Sequence, residues 1–386
     1  MVSMVKNLFS GKNNKKTSNE LSSNAIELAT QRQLIWRRFK RHRLGFTASI
    51  VVVLFYLVVL FADFLSTAPP VDYAAARGYM PPQPIKFFQN GHFMSTCEVT
   101  GQRNMETFLM EFTENCDNTE GISLFGKGYE YKLWGIISTD RHFLGMKDQT
   151  KDPNAWIHLF GTDKQGRDVF SRTMHATRVS LTIGLVGVAL SIIFGIFLGA
   201  ISGYYGGLID SLIQRFIEIV RSVPTIPLYM GLSSAFPDDW TINQVYFMIT
   251  VIISLFAWTD LARVIRGRFL ALKDEDFVTA ARLNGAKTMR VIFVHMLPSF
   301  YSHIIAQASL SLPLMIVTET SLSFLGLGLR PPAVSYGVLL KDAQNVQSVA
   351  NMPWLFIPAI AVILVILALN FMGDGIRDAA DPYQEV

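Results

Sequence analysis

One stretch of the chain carries glycines at the spacing of a phosphate-binding loop. Gly161 and Gly166 enclose four residues and are followed by Arg167 and Asp168. A P-loop needs Lys and then Ser or Thr after its second glycine, to meet the phosphates and the magnesium ion, and Asp168 would repel both. We therefore interpret Gly161, Asp163, Gly166, Arg167 and Asp168 as a structural loop, in which the glycines make tight turns and the charges pair locally, rather than as a substrate contact.

Other catalytic arrangements are weak in this sequence. His142, His158 and His175 share one half of the chain with several acids, but they lack the close spacing of zinc ligands. No nucleophile, base and acid fall into a plausible common pocket. We predict no metal site, no cofactor in this chain and no catalysis by it.

A short polar helix is predicted from about 274 to 285, and it could bind a partner protein. Asp274 can cap its start, two acids follow in the first turn, and Gly285 can end it in a left-handed conformation. Spacings of three and four residues place one stripe on a common face: Phe277, Ala280, Ala281 and Asn284. Spacing alone favours a docking helix and a solvated connector equally.

The composition places this helix in a membrane protein. Half of the 386 residues are hydrophobic and 17% are charged, against roughly a quarter charged in soluble domains. The apolar run in 45–66 has the length of a bilayer crossing and is too long and too far from the N-terminus for a signal peptide. The basic tail, residues 1–44, precedes it, which predicts a cytoplasmic N-terminus rather than a nucleic-acid site.

Residues 67–179 have a mixed composition and no spanning run, so they predict a small extracytoplasmic segment with some strand near Tyr129 to Ile137. The segment holds both cysteines, Cys97 and Cys116. An oxidising compartment permits a disulfide between them, and the sequence leaves open whether it forms.

Residues 180–386 predict a five-helix core, which makes the whole an all-α polytopic protein with six transmembrane helices and a C-terminus in the cytoplasm. The helix after the first would span 180–204, and the next would be one long helix from about Asp210 past Pro224 and Pro227. The remaining apolar runs are 244–260, 299–327 and 354–372.

Some residues inside these helices have a predicted role. Gly195, Gly199 and Gly203 recur every four residues, which clears one helix face for close packing. Glu319 and Asn370 are polar groups within apolar helices, where each could line a translocation path or bond a neighbouring helix. The sequence does not decide between these two roles.

The run Thr279-Ala280-Ala281, with Gly285 and then Leu297-Pro298 beyond it, resembles the Glu-Ala-Ala loop of permease subunits of bacterial ABC importers. In that family the loop forms the coupling helix that docks into a cleft of the cytoplasmic ATPase. Thr279 stands where the family usually has Glu, so an ion pair from this position is not implied. The resemblance assigns ATPase coupling to Phe277, Thr279, Ala280, Ala281, Gly285 and Pro298.

Further motifs narrow the resemblance to the peptide/nickel importers, and among them to the dipeptide and oligopeptide permease C type. The matching stretches are 161–168, 203–207, 319–328, Pro331-Pro332 and 373–378. The resemblance covers about 32–66 and 156–383, and it leaves about 70–155 uncovered.

The resemblance implies a multi-pass permease of the bacterial cytoplasmic (inner) membrane, through which ATP drives a di- or oligopeptide. The implied partners are a second homologous permease, two ATPase subunits that bind ATP and magnesium, an extracytoplasmic binding protein and the lipid bilayer. An oligosaccharide or nickel is the alternative cargo. An ion-driven transporter would need inverted repeats, which the sequence lacks, and a structural or sensory anchor would not need the coupling segment.

Overall fold

The computed structural model describes residues 31–89, 92–106, 110–147, 156–237, 239–345 and 350–380, so most of the predicted basic tail lies outside the described residues. Within them, five helices are long and apolar enough to cross a membrane: α2 (Arg43–Leu65), α3 (Val169–Tyr205), α6 (Ile242–Leu272), α8 (Thr288–Phe324) and α10 (Pro353–Ala380). The shorter helices are α1 (Gln31–Arg41), α4 (Gly207–Ser222), α5 (Thr225–Ser234), α7 (Asp276–Leu283) and α9 (Tyr336–Ala343). The predicted helical membrane fold is confirmed.

The predicted third crossing is divided into α4 and α5, so the prediction of one long helix here is wrong. Val223 has extended backbone angles and Pro224 is the N-cap of α5. Proline lacks an N–H and disfavours helical geometry in the residue before it, which ends α4. With 16 and 10 residues, neither piece is long enough by itself for a candidate span.

The predicted second helix begins earlier than its apolar run. It starts at Val169 rather than near 180, because the Asp168 side chain caps it by accepting a hydrogen bond from the Ser171 N–H at 2.6 Å. Its first turns carry polar side chains that are buried by other parts of the chain, among them Ser171 and Thr173. A hydropathy pattern does not detect helical turns of this kind.

The described residues between α2 and α3 form six strands. Strands β1 (Lys86–Gln89), β2 (His92–Arg103), β3 (Met110–Leu124) and β6 (Leu144–Met146) form an antiparallel sheet in the order β1-β2-β3-β6. Strands β4 (Lys127–Leu133) and β5 (Ile137–Arg141) form a separate hairpin, so the strand predicted near Tyr129 to Ile137 contains a turn. A disulfide joins Cys97 to Cys116 across β2 and β3, which answers the question that the sequence left open.

Helix α3 packs along α6 through its glycine face. A Cβ atom added to Gly195 would lie 2.9 Å from the Leu261 side chain, and one added to Gly203 would lie 2.5 Å from Phe269. At Gly199 it would lie 2.6 Å from the backbone oxygen of Ala262. The glycines therefore let two helix backbones of this chain approach closely. On its other sides α3 contacts α2 and α8, and α10 lies between these two.

We expect Gly199→Ala to destabilise the chain by about 1–3 kcal/mol, because a methyl group against backbone atoms forces the two helices apart. Gly267→Ala is the matched control, since nothing lies within 4 Å of a Cβ at this α6 position. The control should be neutral or stabilising by up to about 1 kcal/mol, because alanine favours the helix. Thermal unfolding in detergent measures both changes, and equal midpoints for the two variants would contradict the packing argument.

Candidate functional site

Helix α7 is a short helix at the end of the bundle where α6 ends and α8 begins. Glu275 is its N-cap residue, without a side-chain hydrogen bond, so the predicted cap by Asp274 is not formed. The helix is shorter than the predicted range of about 274–285, since residues 274–275 and 284–285 lie outside it. Gly285 has a φ of 77°, and its N–H donates to the Arg282 carbonyl at 2.9 Å. This is the left-handed conformation that the sequence predicts for that glycine.

The two sides of α7 differ in their surroundings. Val278 is fully buried in a cluster that includes Phe269 of α6 and Ile292 of α8. Ala281, a member of the predicted stripe, is half-buried and packs against the same cluster. Adjacent side chains of an α-helix point about 100° apart around its axis. Ala280 is therefore exposed while its neighbour Ala281 is half-buried.

The outer side of α7 is exposed although part of it is apolar. Leu283 is 84% exposed and Phe277 is 42% exposed. The remaining exposed residues on this side are small or polar: Thr279, Ala280 and Asn284. We call these five residues the outer face of α7. An apolar face that the chain itself leaves uncovered is typical of a surface for a partner.

Three long helices hold α7 in place. Besides the cluster around Val278, the Arg282 guanidinium lies 5.0 Å from the centroid of the Tyr204 ring at the end of α3. Beyond Gly285, the chain continues through a π-helical turn at Val291–Met296 and a 3₁₀ turn at Leu297–Phe300 into the α-helical part of α8. Pro298 is exposed at the start of the 3₁₀ turn. A displacement of α7 would therefore be passed on to α8.

The opposite end of the bundle holds a buried cluster of charges. Arg167 donates to Asp163 at 2.7 Å and to Asp342 of α9 at 3.1 Å. The fully buried Arg172 lies 3.7 Å from Asp163 and 3.8 Å from Asp342. Burial raises the pKa of Asp342, and the two guanidinium groups act against this shift. The cluster joins the loop before α3 to α9.

The rest of the predicted glycine-rich loop also makes internal contacts. Asp168 lies 3.0 Å from Nδ1 of His158, in addition to capping α3 through Ser171. Gly161 and Gly166 both have positive φ, and a Cβ at Gly166 would lie 1.9 Å from a backbone oxygen. The oxygen at Gly166 belongs to Ala74, and a Cβ at Gly161 would lie 2.5 Å from the backbone oxygen of Met80, so the loop packs closely against the segment that follows α2.

Glu319 and Asn370 occupy different surroundings. Glu319 is fully buried in α8 and accepts hydrogen bonds from Ser180 at 2.7 Å and from Ser323 at 2.8 Å. The first of these bonds joins α8 to α3, so the geometry favours the helix-bonding role for this residue. Asn370 is half-buried in α10, and its role stays undecided.

A cavity of about 490 Å³ lies among α4, α5, α6 and α8. Its charged lining residues are Arg221 and Asp260, which form an ion pair, and polar groups such as Thr225, Gln307 and Ser311 also face it. Neither charged residue is among the predicted site residues. The sequence feature that could have identified Asp260 is its position within an apolar span, where an acidic residue usually indicates a functional site.

The three histidines form no common site. The His142 ring lies between the backbone oxygens of Asp63 and Tyr129, at 3.0 and 2.9 Å. His158 pairs with Asp168, as described above, and His175 lies 3.6 Å from the Asp63 carboxylate. In the described ranges, a single group of potential metal ligands lies close together: Cys97, Glu114 and Cys116. Its two sulfur atoms are joined in the disulfide.

Comparison with known proteins identifies two family models in the chain. Residues 195–385 match the binding-protein-dependent transport system inner membrane component, and residues 30–82 match the N-terminal transmembrane domain of oligopeptide transport permease C. The first match includes α7, the cavity and Glu319. A solved inward-facing methionine ABC transporter is 17% identical with a TM-score of 0.39, covering 53% of this chain and 93% of that one. That score is too low to argue from.

Curated relatives match over most of their own length. The oligopeptide permease OppC of Haemophilus influenzae is 42% identical over 226 residues, which cover 58% of this chain and 70% of the relative. OppC of Bacillus subtilis is 34% identical over 66% of this chain and 77% of the relative. The dipeptide permease DppC of Lactococcus lactis is 30% identical over 90% of this chain and 89% of the relative, a match that extends into the stretch from about 70 to 155. The chain therefore belongs to the family of inner membrane components of binding-protein-dependent transport systems, as an ABC importer permease of the dipeptide and oligopeptide permease C type.

Proposed function

We propose that the chain is the non-catalytic membrane subunit of an importer that takes up di- or oligopeptides with energy from ATP. The observation that carries the proposal is the outer face of α7, which is exposed and partly apolar while its other side is fixed to α6 and α8. A partner protein that binds such a surface can move the helix, and this role requires no catalysis by the chain.

The other subunits of the importer would be separate protein chains. Two ATPase subunits would bind ATP and magnesium and would dock on α7, a second homologous permease would complete the path, and an extracytoplasmic binding protein would deliver the cargo. The basic residues of α1 directly precede the apolar span α2, which by the positive-inside rule supports a cytoplasmic side for α1 and α7. Because α3 ends beside α7 and α6 leads into α7, α4 and α5 together would provide a sixth crossing, and both termini would then lie in the cytoplasm.

Closure of the ATPases would move α7 as a rigid element. The π-helical and 3₁₀ turns join α7 to α8, and the Arg282 contact joins it to α3. Tilting α8 would widen or narrow the cavity, because residues from Gln307 to Leu325 of α8 and the loop after it line that space. The shift would thus become alternating access from the two sides of the membrane.

The names of the relatives favour a peptide as cargo, and the lining of the cavity suits one. Several hydroxyl and amide groups line it together with one acid and one base, and such groups suit the amides and the charged ends of a peptide. The described lining contains no histidine or cysteine, which are ligands that nickel prefers. The names of the relatives, oligopeptide and dipeptide permeases, point to the same cargo.

Reconstitution tests the proposal directly. The chain is co-expressed with its genomic neighbours, purified as an assembly and placed in liposomes. ATP is supplied either inside or outside the liposomes, so that each orientation of the assembly can be driven. We expect ATP-dependent uptake of a labelled tripeptide and little uptake of maltotriose or nickel. Uptake that follows an ion gradient in the absence of ATP would overturn the importer proposal, and ATP-driven uptake of maltotriose or nickel in preference to peptide would overturn only the cargo.

The cavity yields a prediction of its own. Ser311→Trp should reduce peptide uptake at least about tenfold, because the indole fills a space that the cargo must cross. Ile305→Trp is the matched control, since this exposed residue of the same helix does not line the cavity. Uptake and ATPase activity are measured in the same liposomes, and equal uptake by the two variants would exclude this cavity from the path.

A further inference from the structure

We propose that the tip of the β4–β5 hairpin, residues 134–137, inserts into the membrane interface beside α2. This tip carries the most exposed apolar side chains of the hairpin. Ile136 is 83% exposed, Trp134 is 56% exposed and Ile137 is 52% exposed. In water, such a patch would be costly for a soluble segment.

The position of the tip along α2 identifies what covers it. The Trp134 indole N–H donates to the backbone oxygen of Leu60 at 3.0 Å, and its ring lies 5.9 Å from the Phe61 ring. Leu60 belongs to the apolar span α2, which continues to Leu65. Five residues of helix correspond to about 7 Å, which agrees with the roughly 5–10 Å by which interfacial elements enter a bilayer.

The outer surface of α2 continues onto the tip. Val53, Leu57 and Leu60 are large apolar residues of α2 that the chain leaves exposed, as expected of a helix side that faces lipid. Trp134 and Ile136 extend the same kind of surface from the helix to the hairpin. Lys132, exposed next to the turn, can keep its apolar stem with the tip and place its ammonium among lipid phosphates.

The backbone of the turn supports an interfacial role for Trp134. Trp134 has a φ of 53° and Gly135 a φ of 73°, and the left-handed region costs a non-glycine residue roughly 1–2 kcal/mol. A small polar residue would make this turn with less strain. Tryptophan is the residue that membrane interfaces favour, because its ring is apolar and its N–H is polar. Membrane contact would offset the strain and fix the strand-bearing segment against the bilayer.

Spin labelling of the full chain in lipid nanodiscs tests the proposal. Both native cysteines are in the disulfide, so Ile136→Cys adds one free thiol at an exposed position. We expect oxygen, which concentrates in lipid, to relax the label at 136 more than a water-soluble nickel chelate does. Glu130→Cys, exposed on β4 of the same hairpin, is the control and should show the reverse order.

Two results at position 136 would overturn the proposal. Equal or greater access of the chelate at 136 would place the tip in water, and exclusion of both reagents would show that protein covers it. A second readout uses brominated lipids, which quench nearby tryptophans. Trp134→Phe should remove part of the quenching of the wild-type chain, and unchanged quenching would also contradict membrane insertion.

Discussion

Replacing Ala280 with Arg should abolish ATP-driven uptake while leaving the subunit folded in the membrane. Ala280 lies on the outer face of α7, between the larger side chains of Phe277 and Leu283. A long charged side chain there would hold the ATPase away from the helix, and losses above about 2 kcal/mol are typical of such central contacts. We expect uptake to fall more than about tenfold. Because Ala280 is exposed, the fold should be unaffected.

Ala280→Ser is the matched control, since it keeps a small side chain and should preserve uptake. Co-purification of the ATPase, ATP hydrolysis and peptide uptake are measured for both variants in liposomes. A loss of the ATPase from the purified assembly would support docking on this face. Normal uptake by an assembled Ala280→Arg variant would refute the coupling role of α7, even if peptide transport itself were established.

Arg167→Met should cost about 3–5 kcal/mol of stability, because it leaves the buried Asp163 and the half-buried Asp342 with fewer partners. Arg167 donates to Asp163 and Asp342, whereas Arg172 lies 3.7 Å from Asp163 and 3.8 Å from Asp342, and its Nε and Nη2 atoms make no hydrogen bond. The predicted effect is large because the group is buried, whereas exposed pairs contribute little. We expect a lower unfolding temperature and faster proteolysis between α2 and α3.

The Arg215–Glu218 pair on α4 is the matched control, because both side chains are well exposed. Arg215→Met should change the free energy of unfolding by less than about 1 kcal/mol. Adding Asp163→Asn to Arg167→Met should restore part of the loss, since it removes an unpaired buried charge and keeps a side-chain oxygen for the backbone N–H groups of residues 165 and 167. Similar destabilisation by Arg167→Met and Arg215→Met would show that the buried cluster contributes no more than a surface pair.

The spans and α7 are encoded locally. A run of apolar residues long enough for a bilayer predicts a crossing, as it did for α2, α6, α8 and α10, and local residues set the left-handed end at Gly285. The break at Pro224 is also a local property, although the charges on α4 obscure it. The motifs of the chain were sufficient to recognise its family.

Other features depend on residues far apart in the sequence. Only the tertiary structure shows that Val278 and Ala281 face α6 and α8, that Arg167 reaches Asp342, and that the indole of Trp134 reaches Leu60. The same holds for the cavity, whose lining comes from four helices. The sequence by itself determined most of the membrane helices, because hydropathy and turn chemistry act over a few neighbouring residues, and its motifs carried the resemblance to the family. The tertiary structure decided which side chains meet, because burial and charge pairing depend on the packing of distant elements.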